Sequence, residues 1–245
     1  LMYARQLRYR DFAILYRTNA QSRIFEESLR KMNIPYKVYG GMSFFQRKEV
    51  KDALAYFRFV LNPADDESLK RIINYPLRGI GKTTIAKVEM LAQTADKTMW
   101  DILNDTSVLQ NEFNKGTLQK LTSFTELIKQ YREKAGEMEA FDLAYTIASS
   151  AGLIQELSQD KTPEGISRVQ NLEELLNGIR EFTENEENTD DTSLSAYLQT
   201  VTLYTDADHD KDEDTDKVLI MTIHSAKGLE FSCVFIAGLE EELFP

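Results

Sequence analysis

A chain of 245 residues with 42% hydrophobic and 10% aromatic side chains can bury one or two cores, which excludes disorder throughout. Its one cysteine, Cys233, excludes a disulfide framework and a multi-cysteine zinc site, and fits a reducing, cytoplasmic setting. The net charge of −11 speaks against a polyanionic partner only until its distribution along the chain is considered.

Residues 11–17 (DFAILYR) form a short apolar run without alternation, as expected of a buried strand. An amphipathic helix follows at about 20–32, with Ile24, Phe25, Leu29 and Met32 as its inner face. Asn33-Ile34-Pro35 ends it, and residues 36–39 read as a second strand closed by Gly40-Gly41. Over 47–61, Val50, Leu54, Phe57 and Leu61 recur at helical spacing. This strand–helix–strand–helix order implies a parallel α/β sheet.

From Asn62-Pro63 the character changes, and residues 63–205 hold helical periodicity without a convincing strand. Leu118, Leu121, Phe124, Leu127, Ile128 and Tyr131 make one apolar stripe. Ile166, Val169, Leu172, Leu175, Leu176, Ile179 and Phe182 make a second, introduced by Thr162 as N-cap and Pro163 as first helical residue. Residues 183–192 and 206–216 are polar, acidic loops. Strand character returns at 218–223 (VLIMTI) and 233–237 (CVFIA), where Cys233 is expected to be a small buried hydrophobe. Phe44, Phe45 and Trp100 are expected in the core rather than as base-stacking platforms. The predicted fold is α/β. A parallel-sheet domain, residues 1–62 and 217–245, is interrupted by a mostly α-helical insertion, residues 63–216.

Residues 181–216 hold 13 acids against one base, Lys211, and so supply −12 of the charge. Residues 1–100 carry 18 bases and 10 acids. The first third therefore offers a basic surface, the electrostatic precondition for binding phosphates. The most informative string is Thr222-Ile-His-Ser-Ala-Lys-Gly-Leu-Glu-Phe231, which joins the two late strands. Loops at strand carboxyl ends form the binding sites of α/β sheets. This one offers a His donor, a Lys cation, a Gly permitting close approach and a Glu acceptor, although Lys227-Gly228 also suits an ordinary turn.

The string resembles the fifth helicase motif of UvrD/Rep/PcrA-type superfamily-1 DNA helicases. Tyr16-Arg-Thr-Asn-Ala-Gln-Ser-Arg23 resembles the family's fourth motif, and Gly40–Asp52 the segment after it. Pro76-Leu-Arg-Gly-Ile-Gly81 with Thr84 is similar to a loop of the inserted 2B subdomain. Leu194–Asp206 resembles the 2B exit, and Gly238–Pro245 the run after the fifth motif. The resemblance implies a RecA-like, P-loop-NTPase-like domain 2A, incomplete at its C-terminal end, with 2B inserted.

It also implies roles. Arg17, Asn19 and His224 would contact single-stranded DNA, Arg17 through phosphate, to which arginine presents a planar donor fork. Glu230 would accept from the ATP ribose, Gly228 would admit nucleotide and DNA to the backbone, and Lys227 would lie near the nucleotide. Gly79, Gly81 and Lys82 would meet duplex phosphate. Asn19 also suits a helix N-cap, Arg23 a structural ion pair, and the glycine run a plain connector.

Two tempting motifs do not hold. Gly79-Ile-Gly81-Lys82-Thr83 ends like GxxxxGK[ST], but Pro76 stands where the first glycine belongs. A calcium loop started at Asp206 puts Lys211 at the glycine position and Lys217 at the glutamate position; one started at Asp208 puts Glu213 and Leu219 there. His209 in that stretch is uninformative. There is no Walker A motif and no Asp-Glu pair after a strand. ATP and Mg would then be bound mainly by another RecA-like domain of a longer parent, and this fragment alone is expected to be inactive. The chain's Leu-Met start and Leu243-Phe244-Pro245 end fit an excised piece. The parent reading is an ATP-dependent 3′–5′ DNA helicase of repair or replication restart, with single-stranded and duplex or junction DNA as partners and no membrane. The alternative is a non-motor DNA-junction-binding module, or a protein-interaction module docking a basic partner on the acidic segment.

Overall fold

The sheet draws its strands from opposite ends of the chain. β1 (Phe12–Tyr16) lies between β3 (Val218–Thr222) and β4 (Cys233–Ile236), and β2 (Tyr36–Val38) flanks β3, giving the order β2-β3-β1-β4. Every pairing is parallel, with Ala13 opposite Leu219, Phe12 opposite Cys233 and Tyr36 opposite Val218. Parallel strands need crossovers, so all four carboxyl ends emerge along one edge. Phe12, Tyr16, Leu29, Val218 and Ile220 form the buried centre of this region.

The computed structural model describes residues 7–185, 191–206 and 216–239. It divides into two compact units. One comprises Leu1–Val50, Thr162–Leu175 and Gln199–Pro245, and the other Lys51–Lys161 and Leu176–Leu198. Three of the four crossings of this partition fall inside helices. These are α2 (Lys48–Leu61), α10 (Pro163–Glu184) and α11 (Leu194–Asp206).

Helix α1 (Ser22–Lys31) is present, but its inner face is not the apolar one. Of Ile24, Phe25, Leu29 and Met32, only Leu29 is buried; Ile24 and Met32 are exposed, and Phe25 stacks on Tyr16 at 6.0 Å. Ser22, Arg23 and Glu26 are buried instead, because partners for them arrive from distant segments. Helix α2 is buried over more than one stripe, at Val50, from Asp52 to Phe57 and at Phe59 and Val60, while Lys51 is exposed and Arg58 and Leu61 are half-buried.

The second unit is helical, with no strand among its described residues. It holds α3 (Asp66–Ile72), α4 (Lys82–Ala95), α5 (Met99–Asn104), α6 (Thr106–Glu112), α7 (Lys115–Lys134), α8 (Ala140–Ser150) and α9 (Leu153–Ser158). Asp65, Asp105 and Asn114 cap α3, α6 and α7 by accepting a backbone N–H. The stripe on α7 is buried at Leu121, Phe124, Ile128 and Tyr131. In α10, Thr162 accepts from Gly165 N–H at 3.1 Å, and Pro163 is the first residue. Leu172, Leu175, Leu176 and Ile179 are buried there, while Ile166 is exposed. Phe44 and Phe45 are core; Trp100 is half-buried, edge-on to Phe59 at 5.4 Å.

β4 departs from expectation. Val234, Phe235 and Ile236 are 46–51% exposed and Cys233 is half-exposed, because β4 is the sheet's edge. Residues 1–6, 186–190 and 240–245, and the acidic stretch 207–215 with His209, lie outside the described residues. No described helix is long and apolar enough to cross a membrane.

Candidate nucleic-acid interface

Each strand of the sheet ends in a loop on the same edge. β1 runs into Arg17-Thr18-Asn19, β2 into Gly40-Gly41, β3 into Ile223–Ser232 and β4 into Ala237-Gly238. Backbone bonds lock the ends together: Ile223 N–H donates to Tyr16 C=O at 3.0 Å and Ala237 N–H to Leu15 C=O at 2.9 Å. Gly40, at φ 74°, lies so near the β3 loop that a Cβ there would stand 3.0 Å from Ser225 Oγ.

The β3 loop is a tight coil. Thr222 Oγ1 accepts Ser225 N–H at 3.2 Å and bonds Ser225 Oγ at 2.9 Å, and Ala226 N–H returns to Thr222 C=O at 3.1 Å. Lys227 N–H reaches His224 C=O at 3.4 Å. The coil leaves His224, Lys227, Gly228 and Glu230 all exposed. Gly228 has φ 85° and open space where a Cβ would be, so a ligand can approach the backbone directly. Arg17 and Asn19 are exposed on the neighbouring loop. Asn19 opens a 3₁₀ turn (Asn19–Gln21) and is not the N-cap of α1, a position Gln21 holds. Thus Arg17, Asn19, His224, Lys227, Gly228 and Glu230 share one sheet edge in the first unit.

Beneath this edge is a buried polar network. Arg47, 7% exposed, donates to Asn19 C=O (2.8 Å), Asn171 Oδ1 (2.8 Å) and Ser22 Oγ (2.7 Å). Asn171 in turn donates to Glu49 at 2.5 Å. Arg23 is buried too, donating to Glu174 at 2.7 Å and pairing with Glu27 at 3.0 Å, which is the structural of its two roles. Glu26 is fully buried and accepts Phe44 N–H. Burial pushes its carboxyl up to about 7, against the pull of Ser22, Phe44, Arg47 and Arg30. Burial likewise raises Tyr16 to about 12 and lowers Arg47.

Gly79, Gly81 and Lys82 lie in the second unit, in the turn between α3 and α4. Asn74 Oδ1 accepts both Arg78 and Ile80 N–H at 3.0 Å. Arg78 donates to the carbonyls of Ile72, Pro76 and Ala151, and its guanidinium lies 5.8 Å from the Tyr56 ring centroid and 5.7 Å from that of Phe124. Ile80 is buried, while Gly79, Gly81, Lys82 and Thr83 are exposed at the start of α4. Lys120 of α7 donates to Gly79 C=O at 3.1 Å, adding a cation that no motif marks. The contacts of Gln21, Arg47, Asn74, Arg78 and Lys120 could not be read from the sequence, although Gln21, Arg47 and Arg78 stand within the quoted strings, because each binds backbone groups and Arg47 also binds side chains brought in from elsewhere. Among the described residues no cluster of three His, Cys, Asp or Glu is placed to hold a metal.

Over residues 1–245 the chain matches the family described as UvrD-like helicase C-terminal domain. It is 40% identical over 236 residues to DNA helicase II of Escherichia coli (strain K12), covering 96% of this chain and 32% of that protein. It is also 40% identical over 241 residues to the ATP-dependent DNA helicase PcrA of Staphylococcus aureus (strain Mu50), covering 97% and 32%. The chain spans about a third of the length of these curated relatives.

Proposed function

The chain belongs to the family of UvrD-like helicase C-terminal domains, and from that membership we propose that it serves an ATP-dependent DNA motor moving 3′ to 5′. In this reading residues 1–62 and 217–245 act as a RecA-like domain 2A, and residues 63–216 as the inserted 2B. Arg17, Asn19 and His224 hold a single strand, Arg17 by its fork on a phosphate. Gly79, Gly81 and Lys82 hold duplex phosphate beside the strand junction.

The observation that carries the reading is the shared sheet edge. The strand-gripping loop after β1 and the nucleotide loop after β3 are joined by the Ile223–Tyr16 backbone bond, so displacement of one is felt by the other. The residues fit the sugar side of a nucleotide: Glu230 is an exposed acceptor for a ribose hydroxyl, and Gly228 keeps the approach open. Bound ATP with Mg supplies the phosphoryl-transfer chemistry. This chain contributes orientation of the sugar and the strand contacts, and the groups that hold the metal belong to other parts of the parent. The chain alone then hydrolyses no ATP above background, since phosphoryl transfer needs parts from both sides of the cleft.

A fluorescence-anisotropy titration with single-stranded, duplex and junction DNA at two salt concentrations tests this. Salt-sensitive binding, tightest on the junction, is expected. Absence of binding to all three at low salt withdraws the strand grip from this chain. DNA-stimulated ATP turnover that stays with the chain through purification overturns the divided site.

A further inference from the structure

The segment Arg17-Thr18-Asn19 is shaped by side chains that do not belong to it. Gln21 Oε1 accepts the N–H of Arg17 and the N–H of Thr18, both at 3.0 Å. At the far end, Asn19 C=O accepts from the buried Arg47 guanidinium at 2.8 Å. The Gln21 amide also lies against the end of β4. A Cβ on Gly238 would stand 2.1 Å from Gln21 Nε2 and 3.0 Å from its Cδ. Flexible side chains ordinarily swing away from such a clash. Gln21 cannot do so while its oxygen holds two backbone donors. Gly238 is also at φ 68°, which a side chain resists.

We infer that Gln21, in space kept open by Gly238, is a positioning residue for the phosphate contact of Arg17. Gln21 does not meet the strand; it fixes the backbone from which Arg17 projects. The inference rests on the proposal that Arg17 meets a DNA phosphate. It adds that the end of β4 is mechanically part of the grip, since any shift at Gly238 is transmitted to the two N–H groups through one amide.

The test is a double-mutant cycle on the 245-residue chain, read by single-strand anisotropy over a salt series, with thermal melting as the control for folding. Gln21→Leu removes the acceptor at similar size, and Gln21→Glu keeps an acceptor oxygen. Gly238→Ala attacks the same amide from a distant chain position, and serves if Gln21→Leu does not fold. Arg17→Ala is expected to weaken binding and lower the salt slope by about 0.7, the value for one single-strand phosphate. Gln21→Leu and Gly238→Ala should each lower the slope by a similar amount, and add less than about twofold in affinity on top of Arg17→Ala. Gln21→Glu should restore most of the slope. Gln21→Leu and Gly238→Ala with the slope intact, or with full multiplicative effects in the Arg17→Ala background, would make Gln21 merely structural and overturn the inference. Arg17→Ala without effect on affinity or slope would instead overturn the strand reading, and the inference with it.

Discussion

The sheet edge and the glycine turn use the same surface chemistry on unlike foundations. Both expose glycines at positive φ next to cations: Gly228 after Lys227, and Gly79 near Lys82 and against Lys120. Under the edge lie ionisable side chains, Arg47, Glu26, Glu49 and Arg23, all 7% exposed or less. Under the turn lie neutral carbonyls and aromatic rings, gathered by Arg78 and Asn74. A buried charge network holds its loops only while every member is present, because each loss strands an opposite charge. A capped turn loses its bonds one at a time. The edge should therefore be the more brittle of the two, and the more sensitive to pH.

Arg47→Met should have the largest effect. It orphans Asn19 C=O, Asn171 and buried carboxylates, and should cost roughly 3–5 kcal/mol. Hydrogen exchange should quicken in β1, α1 and β3 and stay unchanged in α7. Arg78→Ala should come next, at about 3 kcal/mol for three released carbonyls and two ring interactions, with exchange quickening in α7 and not in β1. If either variant loosens both regions alike, the two foundations are one, and the comparison is broken.

A smaller effect sharpens it. Glu26 titrates at about 7 against its ordinary 4.5, so the folded state holds the proton over that window. Stability from this group is then highest below about 4.5, declines as pH rises, and has lost at most about 3 kcal/mol above 7. Glu26→Gln should flatten that decline, and urea melts of both proteins at about pH 5 and pH 8 would show it. A difference between the two proteins that does not change with pH would deny the buried proton. Least in size, Arg17→Ala should weaken single-strand binding and spare duplex, while Lys82→Ala or Lys120→Ala should do the reverse. Each duplex phosphate left without its cation should lower the duplex salt slope by about 0.9. A common weakening on both DNA forms would mean that the two regions do not divide the substrate.

Why the inner face of α7 was legible and that of α1 was not follows from the same contrast. Leu121, Phe124, Ile128 and Tyr131 obey the rule that apolar faces turn inward, so spacing alone located the core side. Ser22, Arg23 and Glu26 break that rule because Arg47, Phe44 and Glu174 meet them from 18 to 151 positions away. A periodicity argument has no means of knowing that such partners exist. Likewise Arg17, His224 and Glu230 stand out because their neighbours form recognisable strings. Gln21 stands in the same string as Arg17, but like Asn74 and Lys120 it binds backbone amides or carbonyls, which every residue has, so the string does not reveal what it does.

The outer margin of β4 bears on how the protein behaves in a tube. Among the described residues nothing pairs with that margin, and Val234, Phe235 and Ile236 present apolar groups around it. An open, greasy ribbon invites another ribbon. Concentrated solutions of this chain should scatter light and elute progressively earlier from a sizing column, and Phe235→Lys should make elution independent of concentration.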